Sequence, residues 1–105
     1  MSTPNLSHCS TMAEVREHID ELDARIVALL AVRAGYVAQA ARIKQDAGQV
    51  HDQARIDFII DRVKAIASER GAPPPVIEAT YRAMIDAFIA FEHQEFARLR
   101  GGVRA

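Results

Sequence analysis

Two stripes of apolar residues in this sequence are broken by charge, and the breaks are where chemistry is to be sought. Arg33 stands in an apolar stripe between Leu29 and Tyr36. A guanidinium cannot shed its proton, so burying it requires an anion, either a carboxylate of the protein or a bound ligand. Lys44 follows eleven residues later, and at 100° per residue it returns to within ~20° of the same helical face. The two Cα atoms would lie roughly 16 Å apart along the axis, leaving a gap the size of a small organic acid between the side chains. Arg16 is rotated ~80–100° from both, so on a straight helix it serves a different surface and could reach the site of a partner chain. Arg55, in the first turn of a second helix, adds a cation near the same end. For any one of the four, a salt bridge on a solvated face is an equally simple account. The second break is Glu92, four residues after Phe88 and four before Phe96. Burial pushes a carboxyl toward its neutral, hydrogen-bond-donating form, and a nearby cation pulls it back. A core salt bridge from Glu92 to Arg33 or Lys44 is the alternative.

Three helices are needed to position these groups. Thr11 and Glu14 have the T-x-x-E spacing of a capping box. Val15, Ile19, Leu22, Ile26, Leu29, Tyr36, Ala40 and Ile43 then recur at steps of four and three, with Arg33 in the one seat between Leu29 and Tyr36. Only Gly35 weakens the helix before Asp46, by about 1 kcal/mol, and Gly48 is the natural stop. Asp52 can cap a second helix, with Ile56, Ile59, Ile60, Val63, Ile66 and Ala67 as its stripe and Arg70-Gly71 as its end. After Pro73-Pro74-Pro75, the last of which suits a first helical position, a third helix carries Ile77, Tyr81, Met84, Ile85, Phe88, Phe96 and Leu99 and ends at Gly101-Gly102. No segment alternates with period two, so the expected class is all-α.

The first helix would be about 35 residues, or roughly 52 Å. A compact domain of this size is only roughly 33 Å across. The helix must protrude, and its apolar stripe protrudes with it, which predicts a second copy of the chain and an intertwined homodimer. Residues 1–10 are expected to be a disordered tail, 11–100 one helical domain, and 101–105 a flexible tail.

The bulk numbers exclude several classes. Thirteen basic residues nearly balance fourteen acidic ones, with no block of like charge. That gives no case for nucleic acid or an anionic membrane surface. Cys9 is the single cysteine, so no intrachain disulfide can form. His8, His18, His51 and His93 have no pairing at ligand spacing, so no metal site is expected. The N-terminus lacks the apolar run of a signal peptide, and no stretch approaches the ~20 apolar residues of a membrane span. The expected location is the cytoplasm.

The segment V-R-E-H-I-D-E-L-D-A-R-I-V-A-L-L-A-V-R, followed by A-A-R-I-K, resembles the all-helical chorismate mutases. The resemblance covers roughly residues 12–100, and its most specific part is I-D-E-L-D with Arg16, Arg33 and Lys44 at the family's spacing. It implies an intertwined homodimer with two active sites, each taking Arg16 from the opposite subunit. It also implies the pericyclic rearrangement of chorismate to prephenate, with no covalent intermediate and no cofactor. Arg16, Arg33 and Arg55 would grip the two carboxylates of the substrate and hold it compact. Lys44 and a protonated Glu92 would donate to the ether oxygen, where negative charge gathers in the transition state. Asp52 and the loop from Asp46 to His51 would cover the substrate and orient its hydroxyl.

The sequence also departs from the usual pattern. Glu92 stands where many bacterial mutases have glutamine, which makes its protonated form the expected active one. Ile56 and Phe88 occupy seats that are polar in typical mutases, and there the chain is more similar to the isochorismate-pyruvate lyases, which share the fold and make salicylate and pyruvate. A third reading is a non-catalytic helical dimer that binds an aromatic-pathway metabolite.

Overall fold

The computed structural model describes residues 5–101. Residues 1–4 of the expected N-terminal tail and 102–105 of the expected C-terminal tail, Gly102 among them, lie outside the described residues. The elements are α1 (Met12–Ile43), a 3-10 turn (Ala47–Gln49), α2 (Gln53–Arg70) and α3 (Pro74–Leu99), with no strand among the described residues. The chain forms two units, one ending at Arg33 and one beginning at Ala34.

In the first unit, α1 starts as its capping residues dictate. Thr11 Oγ1 accepts from the Glu14 N–H at 3.2 Å, and the Val15 N–H bonds to the Thr11 carbonyl. The Thr11 hydroxyl also donates to the Glu14 carboxylate at 3.2 Å, so the return arm of the box is side chain to side chain. Ile19, Leu22, Ile26 and Leu29, the expected stripe, are all exposed, from 40% to 51%.

By length and composition α1 could cross a membrane, which corrects the expectation that no stretch comes near that limit. Alanine and branched aliphatic residues raise the average, and between Ile26 and Ile43 only Arg33 and Arg42 carry charge. Those two guanidiniums would each cost about 3 kcal/mol at a bilayer centre.

In the second unit α1 ends at Ile43, three residues earlier than its pattern predicts. The Lys44 N–H still bonds to the Ala40 carbonyl at 2.9 Å. The Gln45 N–H is instead taken by the side-chain oxygen of Gln49 at 2.8 Å, and this diverts the chain out of the helix. The 3-10 turn follows, closed by Gln49 N–H to the Asp46 carbonyl and Val50 N–H to the Ala47 carbonyl, with Val50 buried beneath it.

Asp52 caps α2, as its position before the Ile56 stripe predicts. Ile60, Val63 and Ala67 form the buried seam of α2, Ile56 and Ile59 are half-buried, and Ile66 falls at the exposed edge. Gly71, at φ +73°, ends the helix in a Schellman turn: its N–H bonds to the Ser68 carbonyl and that of Ala72 to Ala67. Pro73 is the N-cap of α3, and Pro74 takes the first helical position expected for Pro75. A missing N–H costs nothing anywhere in the first turn, so sequence alone does not choose between neighbouring prolines.

α3 packs on α2 through Ile85 and its half-buried neighbours. Glu78 joins the two helices, 3.2 Å from Lys64 and 2.9 Å from Arg82. Hydrogen bonds from Arg82 first and Lys64 second hold its carboxyl below the usual range. Near the end of α1, Ala41 is fully buried.

Candidate active site

Glu92 is the buried charged residue of the described chain, 7% exposed, on the inner face of α3. Lys44 lies one residue past the end of α1 and is half-buried. Its Nζ is 2.6 Å from Glu92 Oε2, a charge-assisted hydrogen bond between residues 48 apart. The structure therefore joins the two residues that the sequence marked as donors to a reacting oxygen, and it joins them as a partly buried ion pair. A lysine ammonium carries three donors, of which Glu92 takes one.

Lys44 also lines an open groove of about 750 Å³ whose other walls are Ile43, Gln45, Gly48, Gln49, His51, Asp52 and Gln53. The groove is lined mostly by polar groups, and the early end of α1 creates it. Gln49, bonded to the Gln45 N–H, and buried Val50 hold the 3-10 turn in place. His51 Nε2 is 3.2 Å from Gln53 Oε1 at the rim. A Cβ on Gly48 would meet Asp46 Oδ1 at 3.0 Å, so a side chain there would push against the turn.

Asp52 contributes to this wall while capping α2, its Oδ1 accepting from the Arg55 N–H at 3.0 Å. Arg55 is exposed, and its guanidinium lies 5.1 Å from the Phe58 ring centroid, over its own helix. The structure does not put Arg55 among the groove-lining residues. Ile56 and Phe88 are half-buried, and Phe88 meets Phe91 edge to face at 6.3 Å. Arg16 and Arg33 belong to the first unit, where Arg16 is exposed and Arg33 half-buried.

One residue at this site was not legible in the sequence. Arg100, the C-cap of α3, donates from Nη1 to the Ala41 carbonyl at 3.0 Å and from Nη2 to the Lys44 carbonyl. Its guanidinium also stacks 3.5 Å from the Phe96 ring centroid. A basic residue just before a terminal glycine reads as an ordinary helix-end cation. The one local signal was Phe96 four residues earlier, on the same face.

Residues 15–93 match the chorismate mutase type II family. An isochorismate pyruvate lyase of Pseudomonas aeruginosa is 30% identical over 101 residues, covering 96% of this chain and 98% of that one. A chorismate mutase of Methanocaldococcus jannaschii is 29% identical over 84 residues, 79% of this chain and 85% of that one.

The two uses of Asp52 can be separated. Asp52→Ala removes the α2 cap and is expected to cost about 1 kcal/mol in urea unfolding, whereas Asp52→Asn, an equally good cap, should leave stability within a few tenths of a kcal/mol. A loss of activity in Asp52→Asn without loss of stability assigns the carboxylate a role in the groove.

Proposed function

The chain belongs to the chorismate mutase type II family, and from that membership we propose that it rearranges chorismate to prephenate in aromatic amino-acid biosynthesis. The observation that carries the reading is the Lys44–Glu92 pair beside a polar groove that Asp52 also lines. The reaction breaks an ether bond while a carbon–carbon bond forms within one molecule. It asks of the protein a compact substrate conformer and hydrogen-bond donors at the ether oxygen. Lys44 supplies one donor. For Glu92 to supply the second, its carboxyl must carry a proton, because a carboxylate would repel the oxygen as it gains charge. Substrate entry then redirects the Lys44 ammonium from Glu92 to the ether oxygen.

The proposal extends to an intertwined homodimer in the cytoplasm, with no cofactor and with Arg16 entering the partner's site. It is supported by the exposed apolar row Ile19, Leu22, Ile26 and Leu29, which a second copy of α1 would cover. Arg33 and Arg55 would share the carboxylates of the substrate with Arg16, which requires Arg55 to leave the Phe58 ring when substrate binds.

A second reading has its own support. Half-buried Ile56 and Phe88 are apolar where mutases are usually polar, and one relative matched along nearly its full length is a lyase. In that reading the same cations hold isochorismate while pyruvate is eliminated and salicylate forms.

Steady-state turnover of chorismate and isochorismate, followed side by side with product identification, tests the choice. Efficient prephenate formation with little salicylate is expected, and Lys44→Ala should lower kcat by about 10²–10³-fold. Preferred conversion of isochorismate would replace the mutase reading with the lyase. Binding without turnover of either would make the chain a metabolite-binding dimer. For the mutase, kcat/KM should fall as pH rises and Glu92→Gln should flatten that fall; a wild-type profile flat from about pH 5 to 9 would remove the acid role of Glu92. Subunit mixing tests the shared site. Arg16→Ala and Lys44→Ala are each expected to be nearly inactive, but hybrids of the two would hold one intact site, so mixing should restore about a quarter of wild-type activity. Restoration to no more than the sum of the parts would show that each site is built from a single chain.

A further inference from the structure

We propose that Arg100 is a positioning residue for Lys44, fixing the main chain from which the ammonium reaches Glu92 and the substrate. The inference rests on the reading of Lys44 as a group that meets substrate.

Helix α1 ends without intrahelical partners for its last carbonyls, and such an end frays unless something else binds them. The next residue after Ile43 is Lys44, so fraying there would move the Cα of the residue whose ammonium matters. The planar fork of Arg100 spans this end, with one nitrogen on the Ala41 carbonyl and the other on that of Lys44 itself. Its positive charge also lies at the negative end of the α1 dipole. The fork is in turn immobilised on α3, stacked on the Phe96 ring at 3.5 Å and bonded through Nη1 to the Phe96 carbonyl at 3.4 Å.

Glu92 lies on α3 and Arg100 caps its C-terminal end, so α3 and its cap hold Lys44 twice, by its side chain through Glu92 and by its main chain through Arg100. When a substrate draws the ammonium away from Glu92, the first hold is released and only the second remains. A lysine has four rotatable side-chain bonds, and its reach is defined only as well as its Cα is. Misplacement of about 1 Å at a catalytic group can cost about 10²-fold in rate. The groove includes the same residue, because Ile43, Lys44 and Gln45 line it together at the end of α1. A lysine at position 100 would keep the charge but lack the fork that bonds two carbonyls at once.

The experiment follows the Lys44 ammonium directly in the full-length protein. A ¹H–¹⁵N signal from this group, slowed in exchange by its bond to Glu92, is assigned by its disappearance in Lys44→Gln. Arg100→Ala is expected to broaden or abolish the signal while the helical circular dichroism is retained. It should also lower kcat about 10- to 100-fold with a smaller change in KM, and added guanidinium ion should restore part of the loss. If Arg100→Ala does not fold, Arg100→Lys is read in the same way, with partial loss of the signal. A wild type without the signal, a variant that keeps it, or loss of the signal with unchanged kcat each overturns the inference. Should the wild type turn over neither chorismate nor isochorismate, the functional reading fails alone, and the signal in the Arg100 variant still decides whether Arg100 positions Lys44.

Discussion

A carboxylate buried on α3 must meet a cation, and the rest of the second unit is arranged around that requirement. Glu92 is 7% exposed, and at 2.6 Å the Lys44 ammonium is the group that compensates it. To deliver that ammonium, α1 has to stop at Ile43 and pass its last carbonyls to Arg100. The chain then has to turn at once, which the Gln49 side chain achieves by taking the Gln45 N–H. The turn opens the polar groove, and Asp52 closes its far side by starting α2. The Gln49 and Asp52 steps use local hydrogen bonds and the Arg100 step spans more than fifty residues, yet all of them serve one ion pair.

Such a pair is a weak device for stability. Desolvating two charges costs about as much as their attraction returns, and apolar replacements of similar volume are often neutral or stabilising. Tight packing would have been easier to obtain with Met and Leu at these positions. A partly buried lysine beside a buried carboxyl, facing a groove, is better explained by what it offers to a ligand than by what it adds to the fold. Membership of the chorismate mutase type II family points the same way. In the first unit the apolar row Ile19, Leu22, Ile26 and Leu29 is exposed.

How much of this was legible in the sequence depends on the range of each interaction. Thr11, Asp52 and Gly71 act on residues three to five away, and their spacing alone located the helix ends. Glu92 was legible because one charged residue in an apolar stripe violates the pattern of its own helix. The end of α1 was misplaced to Asp46 because a side chain, Gln49, outcompetes helix continuation, and helix propensity carries no record of that competition. That Lys44 pairs with Glu92 is set by tertiary structure, because the two residues are 48 apart in sequence. Arg100 could not be found at all, since the carbonyl it binds on Lys44 lies 56 residues away and carbonyls leave no mark in a sequence. The stripe of α1 was legible as a pattern, and Ile19, Leu22, Ile26 and Leu29 along it are exposed.

The central claim is that Lys44 and Glu92 are kept for chemistry and not for the fold. The most direct measurement pairs thermal unfolding with chorismate turnover for the double variant Lys44→Met/Glu92→Leu, at matched protein concentration so that any dimer contributes equally. The account predicts a Tm at or above that of the wild type together with loss of prephenate formation. A Tm lowered by several degrees, or turnover that survives the double substitution, would contradict it.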